Sequence, residues 1–166
     1  MSKRAVNLLR KNISPKMTIA GGNRRYNLEV LTTTATSIQP NQGGTIFMLD
    51  GTSYSAAVTH SLPHPSEAGA GWWCKFIVKT AVLDAGDDNC LIKIRNSGAA
   101  TFIDDLLLIQ VHETAGAAGL QDVDADFITV KGAAKGGTML HFMTNGTKFY
   151  CVGSSKDVSA DMAVDT

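Results

Sequence analysis

Thr138-Met-Leu-His-Phe-Met-Thr-Asn-Gly-Thr-Lys-Phe-Tyr-Cys-Val152 is the stretch on which the fold class turns. Two short apolar runs, Thr138 to Met143 and Thr147 to Val152, flank Asn145-Gly146. That dipeptide is among the strongest short-range hairpin signals, because both central residues of a type I′ turn need positive φ. A further run, Phe127 to Lys131, precedes it across a Gly-rich turn, so the last third of the chain reads as short strands.

Towards the N-terminus the same grammar repeats. Leu106 to His112, after Asp104-Asp105, is open to a strand or a short helical turn, and its length and Ile109-Gln110-Val111-His112 favour the strand. Cys90 to Arg95 alternates Leu91, Lys93 and Arg95 with Ile92 and Ile94, and period two with charge on one face marks a half-exposed strand. Trp72 to Thr80 is the most apolar run. Before it come Tyr54 to Leu62, punctuated by Pro63-His64-Pro65, and Thr45 to Leu49, followed by the turn signal Asp50-Gly51. Tyr26 to Thr34 gives way to the polar loop from Gln39 to Gly44. About eight to ten short strands without a long amphipathic helix predict an all-β single domain over residues 26–153, a β-sandwich or jelly-roll-like body or a small barrel. No period of about 20 to 50 residues repeats, which sets solenoids and propellers aside. Residues 154–166 read as a polar C-terminal tail.

Composition is that of an ordinary globular chain: 166 residues, 44% hydrophobic and 18% charged. No stretch approaches the roughly 18 apolar residues of a membrane span, and Ala5-Val6-Asn7-Leu8-Leu9 is too short for a signal peptide. The chain is therefore expected to be made in a cytoplasm and kept unprocessed, with no membrane partner. Cys74, Cys90 and Cys151 form no close pair and read as buried small hydrophobes. Charge is uneven. Residues 1–25 carry Lys3, Arg4, Arg10, Lys11, Lys16, Arg24 and Arg25 and no acid, so an arm at +7 precedes a body at −7. Its apolar positions Val6, Leu9 and Ile13 hint at a helix that Pro15 ends, and a helix of about ten residues is marginal alone. The segment is read as an extended basic N-terminal arm that orders against a partner.

Candidate chemistry is sparse. His60, His64, His112 and His141 are the metal suspects, but His60 and His64 cannot share a helix face through Pro63 and Pro65. Asp122, Asp124 and Asp126 resemble the opening of a calcium loop, yet Phe127 stands where its glycine belongs and Ala133 where its closing acid belongs. Asp84, Asp87 and Asp88 read as a solvated acidic turn. Asp104 and Asp105 are adjacent and on a strand face opposite sides. No nucleophile elbow, Walker loop or dinucleotide fingerprint occurs. No enzymatic activity, metal or cofactor is expected, and nucleic acid is not expected as a partner. Trp72-Trp73 is more informative, because neighbours on a strand point to opposite faces: one ring fills the core and the other is a candidate oligomer contact.

The order of these pieces carries a resemblance. Gly44-Thr-Ile-Phe-Met-Leu-Asp-Gly51, Ser61-Leu-Pro-His-Pro65, Gly71-Trp-Trp-Cys-Lys-Phe-Ile-Val78, Phe127-Ile-Thr-Val130 and Asn145-Gly-Thr-Lys-Phe-Tyr-Cys-Val-Gly153 together resemble small virion proteins of tailed bacteriophages, over about residues 43–153. The resemblance implies a head-decoration (cement) protein on the capsid exterior, present in many copies as a symmetric oligomer such as a trimer. Its partners would be the major capsid protein and itself, and its location the virion. The seven basic arm residues would then anchor it, with Trp72 or Trp73 in the oligomer interface. Some members of the group are domains of tail fibres or spikes, which keeps open a receptor- or carbohydrate-binding module as the alternative.

Overall fold

A computed structural model describes residues 27–165 apart from 33–34, 52–55, 80–82, 84–88 and 114–118. The basic arm, with Lys3, Arg4, Arg10, Lys11, Lys16, Arg24 and Arg25, and the acidic turn at Asp84, Asp87 and Asp88 lie outside the described residues. The strands are β1 (Asn27–Leu31), β2 (Thr45–Leu49), β3 (Val58–Leu62), β4 (Trp73–Val78), β5 (Cys90–Ile94), β6 (Leu107–Glu113), β7 (Leu120–Ala125), β8 (Phe127–Val130), β9 (Met139–Thr144), β10 (Phe149–Ser155) and β11 (Met162–Asp165). They make a seven-stranded sheet in the order β1-β2-β4-β9-β10-β6-β7 and a four-stranded sheet in the order β11-β8-β5-β3. One hydrophobic cluster joins them, with Phe47, Phe76 and Phe142 from the larger sheet and Ile92, Ile128 and Val130 from the smaller. The chain is an all-β single domain, as its alternation predicts.

Strand order arises in two ways. β1, β2 and β4 run parallel, side by side. Between them the chain crosses to the other sheet, where Ser37 bridges Ser61 and β3 lies parallel to β5. Residues 27–95 thus wind as three rungs of a flattened coil, each rung giving one segment to each sheet. Like side chains stack from rung to rung: Leu31 lies beside Leu49 and Leu49 beside Val78. Phe47 lies beside Phe76, with ring centroids 5.3 Å apart. Asn27, Thr45 and Cys74 share a register position at unequal sequence spacing, so this local solenoid-like winding leaves no period in the sequence. The later strands close the coil in antiparallel fashion, β9 on β4 and β8 on β5. Among the described residues four of the nine strand pairings are parallel. Jelly rolls are antiparallel, so the jelly-roll alternative gives way to a mixed two-sheet topology.

Local differences from the sequence reading have physical causes. The Asn145-Gly146 hairpin forms between β9 and β10. Gly146 has positive φ but Asn145 does not, so the turn is not type I′. Instead the Asn145 carboxamide oxygen accepts from the backbone N–H groups of Thr147 and Lys148, each at 2.9 Å, and the side chain closes a wider loop. Asp50-Gly51 joins no hairpin, since β2 and β3 belong to different sheets. Gly51 is required there because a Cβ would lie inside the van der Waals envelope of the Leu83 carbonyl oxygen. The segment read as a polar tail belongs to the body: Val158 and Met162 are buried, and β11 pairs with β8. β7, hidden among Asp122, Asp124 and Gly119, was not legible as a strand; it pairs with β6 across a register shift.

Candidate functional site

Pleating decides which side chains the seven-stranded sheet turns away from the core. Along β4, Cys74, Phe76 and Val78 are buried while Trp73, Lys75 and Ile77 lie on the outer face. The same parity on neighbouring strands builds three outer rows. One runs Val30, Met48, Ile77, Met139; the next Leu28, Ile46, Lys75, His141, Val152; the third Trp73, Met143, Tyr150, Leu108. Lys75 is the one charged residue among these thirteen positions. The polar end of the face is Ser154 and His112, which continue the first row on β10 and β6, with Gln110 and Gln121, paired on β6 and β7, and Asp122 beside them.

This apolar surface is open. Leu28 is 65% exposed, Val30 47%, Tyr150 40%, and Met143 and Val152 37% each. With the half-buried members of the three rows, the open apolar area is on the order of 600 Å², the upper end of what a monomer leaves wet. The face is not flat. Ile46, Trp73, Lys75, His141 and Met143 surround a hollow of about 530 Å³. A smaller hollow of about 190 Å³ lies between β10, β6 and β7, bordered by Leu108, Gln110, Gln121, Tyr150 and Val152. The side chains of Tyr150 and Val152 stand between the two as a ridge.

His141 sits at the centre of the face, with its ring edge-on to Trp73 at 5.5 Å between centroids. Burial, reinforced by the charge of neighbouring Lys75, holds its imidazole below the usual histidine range. The shift favours the uncharged ring, which keeps positive charge from the middle of the face.

Of the other singled-out residues His112 lies at the β6 end of this face, beside Ser154, and the rest lie apart from it. Trp72 is a core residue, 7% exposed, donating from Nε1 to the Pro40 carbonyl at 2.8 Å and meeting Phe149 edge-on. Of the two candidate interface rings, Trp73 alone faces outward, and Trp72 is corrected to an internal role. His60 is fully buried on β3, His64 accepts from the Ser66 N–H at the start of the one-turn helix Pro65–Ala68, and His112 is exposed on β6. Asp124 pairs with Lys148 at 2.8 Å, and Asp126 accepts from the Asp105 backbone N–H. Among the described residues no three His, Cys, Asp or Glu side chains converge on a metal position. Also among them, no helix is long and apolar enough to cross a membrane.

Single-sequence reasoning found Trp73 and missed the rest of the face. The period-two pattern held a signal in Leu28, Val30, Met143 and Tyr150, which occupy the parity that water would claim if the sheet had a solvated side. Comparison of the chain with protein-family models, with curated proteins and with solved structures found no match.

Proposed function

We propose that this chain is a structural protein of a tailed-bacteriophage head, a decoration protein that binds the capsid exterior as a small oligomer and stabilises the shell. The observation that carries the reading is the outer face of the seven-stranded sheet, broad, apolar and almost free of charge, which suits burial against protein. The resemblance of the motif order to small phage virion proteins supplies the setting, and the +7 arm would supply a second attachment element. Binding only to the assembled shell stabilises it by mass action, and several protomers gripping neighbouring subunits gain avidity through effective concentration.

The test is to quantify this chain against the major capsid protein in purified particles. Copy numbers comparable to that of the capsid protein support decoration, and a handful per particle overturns it. Undecorated heads provide the second arm: changing Arg4, Arg10, Lys11, Arg24 and Arg25 to Gln lowers occupancy at low salt, where exposed charges are least screened.

One observation favours the tail-module alternative. Phe102, 43% exposed, borders a hollow of about 360 Å³ beside the Arg95–Glu67 ion pair. An open aromatic ring next to planar charged groups is the chemistry that holds a sugar. Glycan binding abolished by Phe102→Ala, together with low copy number, would establish that reading instead.

A further inference from the structure

The hollow of about 530 Å³ in the outer face differs from the surface around it, because polar groups without partners stand among its apolar walls. Its lining is built from two register rows: Ile46 on β2, Lys75 on β4 and His141 on β9 in one, Trp73 and Met143 in the next. Lys79, Arg95 and Lys148 each pair with a carboxylate, whereas Lys75 forms no ion pair among the described residues, and no residue lining the hollow is acidic. His141 Nε2 is buried and has no hydrogen-bond partner among the described residues either. Buried polar atoms are nearly always satisfied, so an unsatisfied one calls for a partner. Two register neighbours that can both donate, an ammonium and an imidazole N–H, suit one acceptor between them, and the uncompensated lysine charge makes that acceptor an anion. The volume falls in the range of small-molecule sites, roughly 300–1,000 Å³, which combine apolar walls with a few convergent polar groups.

We propose that this hollow binds a small amphipathic monocarboxylate, its carboxylate held between Lys75 Nζ and His141 Nε2 and its apolar body lying against Ile46, Trp73 and Met143. Inorganic phosphate or sulfate would answer the lysine but leave the walls wet, and a neutral apolar molecule would cover the walls but leave both donors unanswered. His141 Nε2 is shut from bulk water. Lys75 carries its charge on a flexible four-carbon stem, and the stem's turn towards the carboxylate brings an oxygen to the ring. Met143, unbranched and adaptable, lets the apolar body be an alkyl chain or an aryl ring.

Isothermal titration of the full chain with decanoate and with indole-3-acetate tests the site, decanol and acetate being controls that each lack one half of the ligand. Decanoate is expected to bind saturably at one site per chain, about 10-fold or more tighter than either control, as a charge-assisted hydrogen bond provides. Lys75→Met keeps an unbranched stem and should lower decanoate affinity about 10-fold while leaving decanol unchanged. His141→Phe should lower it by about 3- to 10-fold. Lys135→Met, which removes a lysine outside the hollow, should bind like wild type. Circular dichroism should report all three variants folded, and the imidazole NMR signals of His141 should move on titration while those of core His60 stay. Absence of saturable binding for both carboxylates, decanol bound as tightly as decanoate, equal losses in Lys75→Met and Lys135→Met, or an unmoved His141 signal overturns the assignment. Head occupancy does not enter this test, so the decoration reading stands or falls separately.

Discussion

Acidification is expected to destabilise this protein through His60, and the size of the effect follows from the geometry around the ring. His60 is fully buried on β3. Its Nδ1 accepts from the Thr36 backbone N–H at 3.2 Å, which puts the neutral ring's proton on Nε2, and Nε2 has no partner among the described residues. Protonation would place a second donor against the Thr36 N–H and a full charge in the core. Burial accordingly lowers the pKa from 6.5 to about 4. Because the folded value lies below the unfolded one, the unfolded chain binds the extra proton first. His60 therefore costs no stability above pH 6.5, and stability is lost progressively as the pH falls from there to about 4. At about 1.4 kcal/mol per pH unit, the loss over that window is about 3 kcal/mol. Urea unfolding between about pH 7 and about pH 4 measures it. His60→Asn keeps an oxygen near the position of Nδ1 and removes the titrating ring. It should be less stable at neutral pH by about 1–3 kcal/mol, from the space left behind, but with a shallower dependence on pH. Equal pH slopes for the two proteins would refute the assignment.

Other outcomes follow from single contacts. Gly51→Ala drives a methyl group into the Leu83 carbonyl and should cost about 1–3 kcal/mol in urea unfolding. Trp72→Phe removes the bond to the Pro40 carbonyl and part of a core ring, costing about 1–3 kcal/mol while leaving sedimentation unchanged, since Trp72 does not reach the outer face. The thiols of Cys74 and Cys151, pushed up by burial, should react with a neutral-pH thiol reagent only as the chain opens, so their labelling rate should rise with urea in step with unfolding.

How far the sequence reached, and where it stopped, follows from the range of the forces involved. Period-two alternation and turn residues are local, so Thr45–Leu49, Trp73–Val78 and Cys90–Ile94 are readable as strands from their own side chains, and with them the all-β class. Adjacent tryptophans on an extended chain must diverge, so one outward ring was legible, though not which. Pairing partners are not local. Nothing in Thr45–Leu49 says that its neighbours are β1 and β4, both parallel to it, because crossover segments of unequal length can close the same register. The Asp50-Gly51 signal misleads for the same reason: that glycine answers to Leu83, remote in sequence. Residues 154–165 are polar on average, and only the exposed edge of β8 turns Met162–Asp165 into a strand. The candidate face depends on the tertiary structure most of all. Leu28, Lys75, His141 and Tyr150 come from four separate strands, and they become one surface only when strand order and register set their outward positions side by side.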